Sequence, residues 1–186
     1  MVTTLLPAAM IRLQQNKPTP KITVTTALSG ELSVDRGVLD TALIHEPLRP
    51  RDGYLWQEVA RQQVVVIAPP NSAETDLKRL FSAHSYLRFN RAAWVGSLIE
   101  ERLREPEIAV SEVAEVESVD AIRRLVGSGF GVSIVPTVDP IGVRTMSFGE
   151  PPLYRRVGFY MREGLSMRPA LRSLVDARLP THVETI

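Results

Sequence analysis

The sequence predicts an α/β fold with largely parallel sheets, and three observations carry that reading. Short β-branched or apolar runs alternate with segments of helical periodicity along nearly all of the 186 residues. The 14 prolines fall mostly at the ends of these runs, where they act as turn punctuation. No internal repeat or low-complexity stretch interrupts the pattern. Strands that alternate with helices are the signature of βαβ units and parallel pairing.

Taken in order, Thr3 or Thr4 can cap a first helix, with Pro7 in its first turn and Leu6, Met10 and Leu13 at helical spacing up to Asn16. Lys21 to Ala27 is β-branched and alternating, hence a strand. A weak helix from Glu31 to Arg36 stops at Gly37, and Leu39 to Ile44 reads as a buried strand. Tyr54 to Ile67 is long, extended and apolar at its end. Asn71 to Glu74 has the form of a capping box that opens a short helix through Leu80. Tyr86 to Phe89 is a strand, and Asn90 caps a helix from Arg91 to Arg104 whose buried side is marked by Trp94, Leu98 and Leu103. Strands over Ile108 to Val113, Val132 to Val135, Val143 to Phe148 and Arg156 to Met161 are interleaved with helices over Ser118 to Val126 and Met167 to Ala177.

Composition removes several function classes. With 22 basic and 21 acidic residues the net charge is +1, and no segment carries the clustered Lys and Arg that grip a phosphate backbone. No run of about 18 apolar residues occurs, so no membrane span is expected. The N-terminus lacks a signal-peptide layout, which makes the cytoplasm the expected compartment. There is no cysteine, and His45, His84 and His182 lie far apart without metal-ligand spacing, so neither a metal nor another cofactor is expected. Gly127 to Gly131 is glycine-rich, but it follows a helix and precedes a strand, the reverse of a dinucleotide fingerprint.

The segment Val116 to Pro136, VESVDAIRRLVGSGFGVSIVP, is the most specific stretch. Ser118 can cap a helix, Ile122, Leu125 and Val126 bury its inner face, and Gly127 and Gly129 allow the positive φ that ends it. Gly131 allows close approach to a neighbour, and Pro136 ends the next strand. This segment resembles the LysR family of transcriptional regulators. Leu5-Leu6-Pro7 with its helix, Gly37 to Leu43 (GVLDTAL) and Val64 to Pro70 resemble three further family patterns, in the right order. The resemblance covers residues 3 to 180.

It implies an α/β fold of the two-lobed, type II periplasmic-binding-protein-like kind, with two crossover hinge strands. The first lobe would hold residues 1–66 and 157–186, and the second residues 67–156. The family's winged helix-turn-helix, linker helix and first strand are not expected among these residues. The stretch from Leu28 to Arg36 is about two residues short of the family's second helix. The resemblance further implies an effector-binding regulatory domain, not an enzyme, which takes a small organic acid in a cleft between the lobes. Two helix starts are expected to face the ligand: Asn90, Arg91 and Ala92 at one, Ser118 and Val119 at the other. Unpaired N–H groups and partial positive charge there suit a carboxylate, and Arg91 could pair with it bidentately. His45, Glu46 and Pro47 after a strand, Pro69, and Thr3 and Thr4 complete the expected contacts. Plain capping is the simpler role for Asn90, Ser118, Thr3 and Thr4, and a solvated surface position for Arg91.

Charge bears on assembly. Residues 71–150 carry 9 basic and 12 acidic side chains, a net −3, and the rest of the chain is +4. An antiparallel homodimer would set unlike lobes together, with Leu6, Met10 and Leu13 of one subunit against Ile122 and Leu125 of the other, as the resemblance also implies. DNA would be reached only through a helix-turn-helix that these residues do not include. Two other classes compete: a free solute-binding protein serving a transporter, and a catalytic domain on a lobed α/β scaffold.

Overall fold

The computed structural model describes residues 10–11, 14–15, 21, 23–24, 30–47, 51–91, 93–104, 108–136, 140–165 and 168–175. The chain divides into two compact units, Met1–Gln62 with Arg156–Ile186, and Gln63–Arg155. The elements in order are α1 (Gly30–Asp35), β1 (Thr41–His45), β2 (Tyr54–Ala68), α2 (Leu77–Ala83), β3 (Tyr86–Phe89), α3 (Trp94–Arg104), β4 (Glu112–Val116), α4 (Val119–Gly127), β5 (Val132–Pro136), β6 (Arg144–Ser147), β7 (Tyr154–Arg162) and α5 (Pro169–Val175). Met10, Ile11 and Gln14 are helical, while Thr3, Thr4, Leu6 and Leu13 lie outside the described residues. Of the strand expected over Lys21 to Ala27, Lys21, Thr23 and Val24 are described, and none is in a strand.

In the first unit β1 pairs antiparallel with β7, from Thr41 opposite Met161 to His45 opposite Val157. Side chains alternate across a strand, so successive β7 residues serve opposite faces. Phe159 and Met161, on one face of β7, join a cluster with Val59, Ala60 and Leu171 on which half-buried Met10 packs. Tyr160, on the other face, packs with Val34 and Ala42. The sheet is thus covered on both sides, as an α/β layer requires.

The second unit holds the larger core. β3 pairs in parallel with β4 and β5, joined through α3 and α4, and this is the βαβ arrangement the sequence predicts. β2 differs, because it runs antiparallel to β5 and to β6. The expectation of largely parallel sheets is therefore corrected to mixed ones. Alternation of strand and helix fixes element type but not direction, and β2 arrives straight from the first unit without a helical crossover. Val64 to Ala68, Leu80, Phe81, Ile99, Ile122, Val126 and Ile134 are all buried in this core.

Local signals decide where helices begin and end. The capping box expected over Asn71 to Glu74 is replaced by Asp76, whose carboxylate accepts the Arg79 N–H at 2.9 Å. Glu74 instead turns back onto the N–H groups of Thr75 and Asp76. Ser118 caps α4 as expected, its hydroxyl accepting the Ala121 N–H at 3.3 Å. α4 leaves through Gly129 at φ 84°, with Gly129 N–H bonded to the Val126 carbonyl and Phe130 N–H to that of Leu125. Gly127 does not need positive φ. It gives room to Gly142, whose carbonyl oxygen lies 2.8 Å from where a Gly127 Cβ would sit.

Candidate functional site

The candidate site lies in the second unit, where β3 and β4 end side by side. Their parallel register places Phe89 opposite Val116, so the residues that follow, Asn90 and Ser118, emerge at the same end of the sheet. The Asn90 N–H donates to the Val116 carbonyl at 3.3 Å and ties the two exits together. Ligands of open α/β sheets collect at such carboxyl ends.

α3 does not begin at Arg91 under an Asn90 cap. Asn90 opens a turn in which its carbonyl accepts the Ala93 N–H at 3.2 Å, and the helix starts at Trp94. Its buried residues are Val95, Gly96, Ile99 and Leu103, with Trp94 and Leu98 half-buried. Gly96 explains the fit of the turn, because a Cβ there would lie 2.3 Å from the Asn90 carbonyl oxygen. Ala92 lies outside the described residues. Val119 is half-buried and packs on the core, so it contributes backbone rather than side chain at this surface.

Arg91 is exposed and already paired within the chain. Its guanidinium donates to both carboxylate oxygens of Glu112, at 3.1 and 2.9 Å, and its backbone N–H donates to Glu115 at 2.8 Å. Residues three apart in a regular strand point to opposite faces. The register shift between Tyr86 and Leu87 adds a residue to β4 and brings Glu112 and Glu115 to one side.

Behind this pair lies Arg88, only 7% exposed, whose Nε donates to Glu112 at 2.6 Å and which also pairs with Glu100 of α3. Its guanidinium sits 5.2 Å from the centre of the Tyr86 ring. Burial pushes the Tyr86 hydroxyl up to about 12, against the opposing pull of Arg88. Arg88, Glu100, Glu112 and Glu115 were not among the residues the sequence singled out. One signal was present: an arginine inside the otherwise apolar strand YLRF needs buried counter-charges. A surface recess of about 350 Å³ opens beside Arg88 and Glu100, lined also by Leu103, Ile108 and Val110.

The first unit has its own charged cluster at the end of β1. His45 ends the strand half-buried, and Glu46 and Pro47 follow it. Glu46 is ion-paired with Arg156, whose Nε donates to Glu58 at 2.6 Å and whose guanidinium lies over the Trp56 ring at 5.2 Å. Burial works to raise the Glu58 carboxyl, but hydrogen bonds from Arg61 and Arg156 outweigh it and hold the group below its usual 4.5. Pro69 follows β2 half-buried, and its carbonyl accepts the Ser72 N–H at 3.0 Å. Among the described residues no group of three acidic or histidine side chains could hold a metal ion, and no helix is long and apolar enough to cross a membrane.

Of the residues expected at a dimer contact, Ile122 is fully buried within its own unit. It holds α4 from inside and cannot meet a partner. Leu125 is 37% exposed on the outer side of α4, and Phe130 just beyond is 55% exposed.

Comparison with known proteins fits this architecture. The regulatory domain of OxyR from Pseudomonas aeruginosa, in its reduced form, matches 96% of this chain and 93% of its own at 21% identity, with a TM-score of 0.73. The QuiR effector-binding domain, solved with shikimate, matches 94% and 88% at 19% identity and a TM-score of 0.72. The MetR regulatory domain from N. meningitidis matches 97% and 91% at 16% identity and a TM-score of 0.71. No curated protein matches by sequence. The fold is therefore of the two-lobed, type II periplasmic-binding-protein-like class. The profile of the LysR substrate binding domain matches residues 1–179, and the chain belongs to that family.

Proposed function

We propose that this chain senses a small organic acid, with the turn at Asn90–Arg91 and the start of α4 at Ser118 as its anion-binding elements. The observation that carries the reading is the bond from Asn90 N–H to the Val116 carbonyl, which sets both elements at one end of one sheet. The nine-residue α4 offers N–H groups and partial positive charge at Ser118 and Val119. Arg91 adds a fork of donors suited to a carboxylate. The chain acts by binding rather than catalysis, as the sensing part of a cytoplasmic transcription regulator. Contact with DNA belongs to a helix-turn-helix outside these residues. Subunits pair antiparallel, with the helix containing Met10 meeting α4 of the partner, and exposed Leu125 and Phe130 supply apolar contact.

A thermal-shift screen of small organic acids, shikimate and aromatic acids among them, against their neutral amides tests the ligand class. The reading expects stabilisation by one or more acids and none by the matching amides. Equal stabilisation by acid and amide would remove the carboxylate from the proposal.

A further inference from the structure

The Arg91 donors assigned to the ligand are occupied by this chain's own carboxylates. Glu112 takes the Arg91 guanidinium through both oxygens, and Glu115 takes the Arg91 N–H. Glu112 is shared, because it also accepts from Arg88, which Glu100 holds from the other side. The exposed and buried ends of the network differ in accessibility. Arg91 has 55% of its side chain exposed, against 8% for Arg88. An incoming anion can therefore reach and release Arg91 while Arg88 stays paired. Two arginines face three glutamates here, so an anion meets a site with no spare positive charge.

We propose that Glu112 is an internal competitor for Arg91, and that it sets the affinity threshold and selects the class of acid that binds. This rests on the reading of the Arg91 turn as an effector contact. Glu112 loses little when it is displaced, since Arg88 remains bonded to it. An acid that offers one carboxylate and nothing else mainly exchanges one ion pair for another, and so binds measurably but weakly. Tight binding then falls to acids that add a second interaction, such as a fuller contact with the N–H groups at the start of α4. The register shift in β4 is what lets both Glu112 and Glu115 meet Arg91, because strict alternation would turn one of them away.

The test is an NMR titration of the ¹⁵N-labelled chain with benzoate, comparing wild type with Glu112→Gln and following the Arg91 Nε–H resonance and the Asn90 and Ser118 amides. Glu112→Gln should bind benzoate about two- to fivefold more tightly, the range set by the modest strength of an exposed ion pair. In wild type the Arg91 Nε–H should move together with the Asn90 and Ser118 amides, a readout that stands even if the variant fails to fold. Equal or weaker binding by Glu112→Gln would overturn the competition and leave the site reading intact. The same holds if Asn90 and Ser118 shift while Arg91 Nε–H does not. If none of the three responds in either protein, the site reading fails and the competition falls with it.

Discussion

The Nε of Arg88 donates to Glu112 at 2.6 Å, while the guanidinium of Arg91 rests on the same carboxylate at 2.9 Å. One glutamate thus serves a buried arginine and an exposed one, and the two pairs should differ widely in worth. Removing one partner of a buried pair leaves its counter-charges stranded, whereas an exposed pair contributes little. Arg88→Met should cost about 2–4 kcal/mol in urea unfolding, and Arg91→Ala under about 1 kcal/mol. Equal losses would mean that the two arginines share one environment.

Ser118 separates capping from anion binding. Ser118→Ala should cost about 0.5–2 kcal/mol by loss of the cap. Ser118→Asp keeps a capping oxygen and so should hold stability near wild type, but its charge should weaken an acidic ligand at least about tenfold, or 1.4 kcal/mol. Calorimetry beside urea unfolding reads both effects. Unchanged affinity in Ser118→Asp would take the start of α4 out of the site.

Gly96 tests the seating of the Asn90 turn. Alanine is the better helix former by about 1 kcal/mol, but its Cβ would press on the Asn90 carbonyl from 2.3 Å. Overpacking against backbone costs about 1–3 kcal/mol, so the clash should win and Gly96→Ala should lower the urea midpoint. A raised midpoint would show that the turn can move away freely.

Glu58 predicts an acid limb of stability. Its carboxyl is held below 4.5 in the folded chain, so its contribution is present above that value and is lost as pH falls through the lower folded value. The stability gap between wild type and Glu58→Gln should stay level from neutral pH down to about 5.5 and close below 4.5. Denaturant unfolding at a series of pH values measures it. A gap unchanged into strong acid would assign Glu58 no linked role.

Particular residues show how far the sequence could be read. Val116 to Pro136 was legible almost residue by residue, because its cap, its buried face and its exit all rest on local rules that Ser118, Ile122, Val126 and Gly129 obey. The Asn71 capping box was not, since Asp76 satisfies the same rule four residues before Leu80, and nothing local ranks the two. The direction of β2 depends on the path of the whole chain, which periodicity does not encode. Ile122 and Leu125 both fit an apolar helix face, and only packing shows that one points inward and the other out. The pairing of Arg91 with Glu112 joins residues 21 apart through a register shift, a feature without a sequence mark.

Acid binding at the Asn90 turn and the start of α4 is best tested by a chemical-shift map of the ¹⁵N-labelled chain with the acid that stabilises it most. The largest amide shifts should cluster at Asn90, Arg91, Ser118 and Val119, and the neutral amide of the same compound should leave them in place. Saturable shifts confined to other residues, such as the recess beside Leu103 and Ile108, would contradict it.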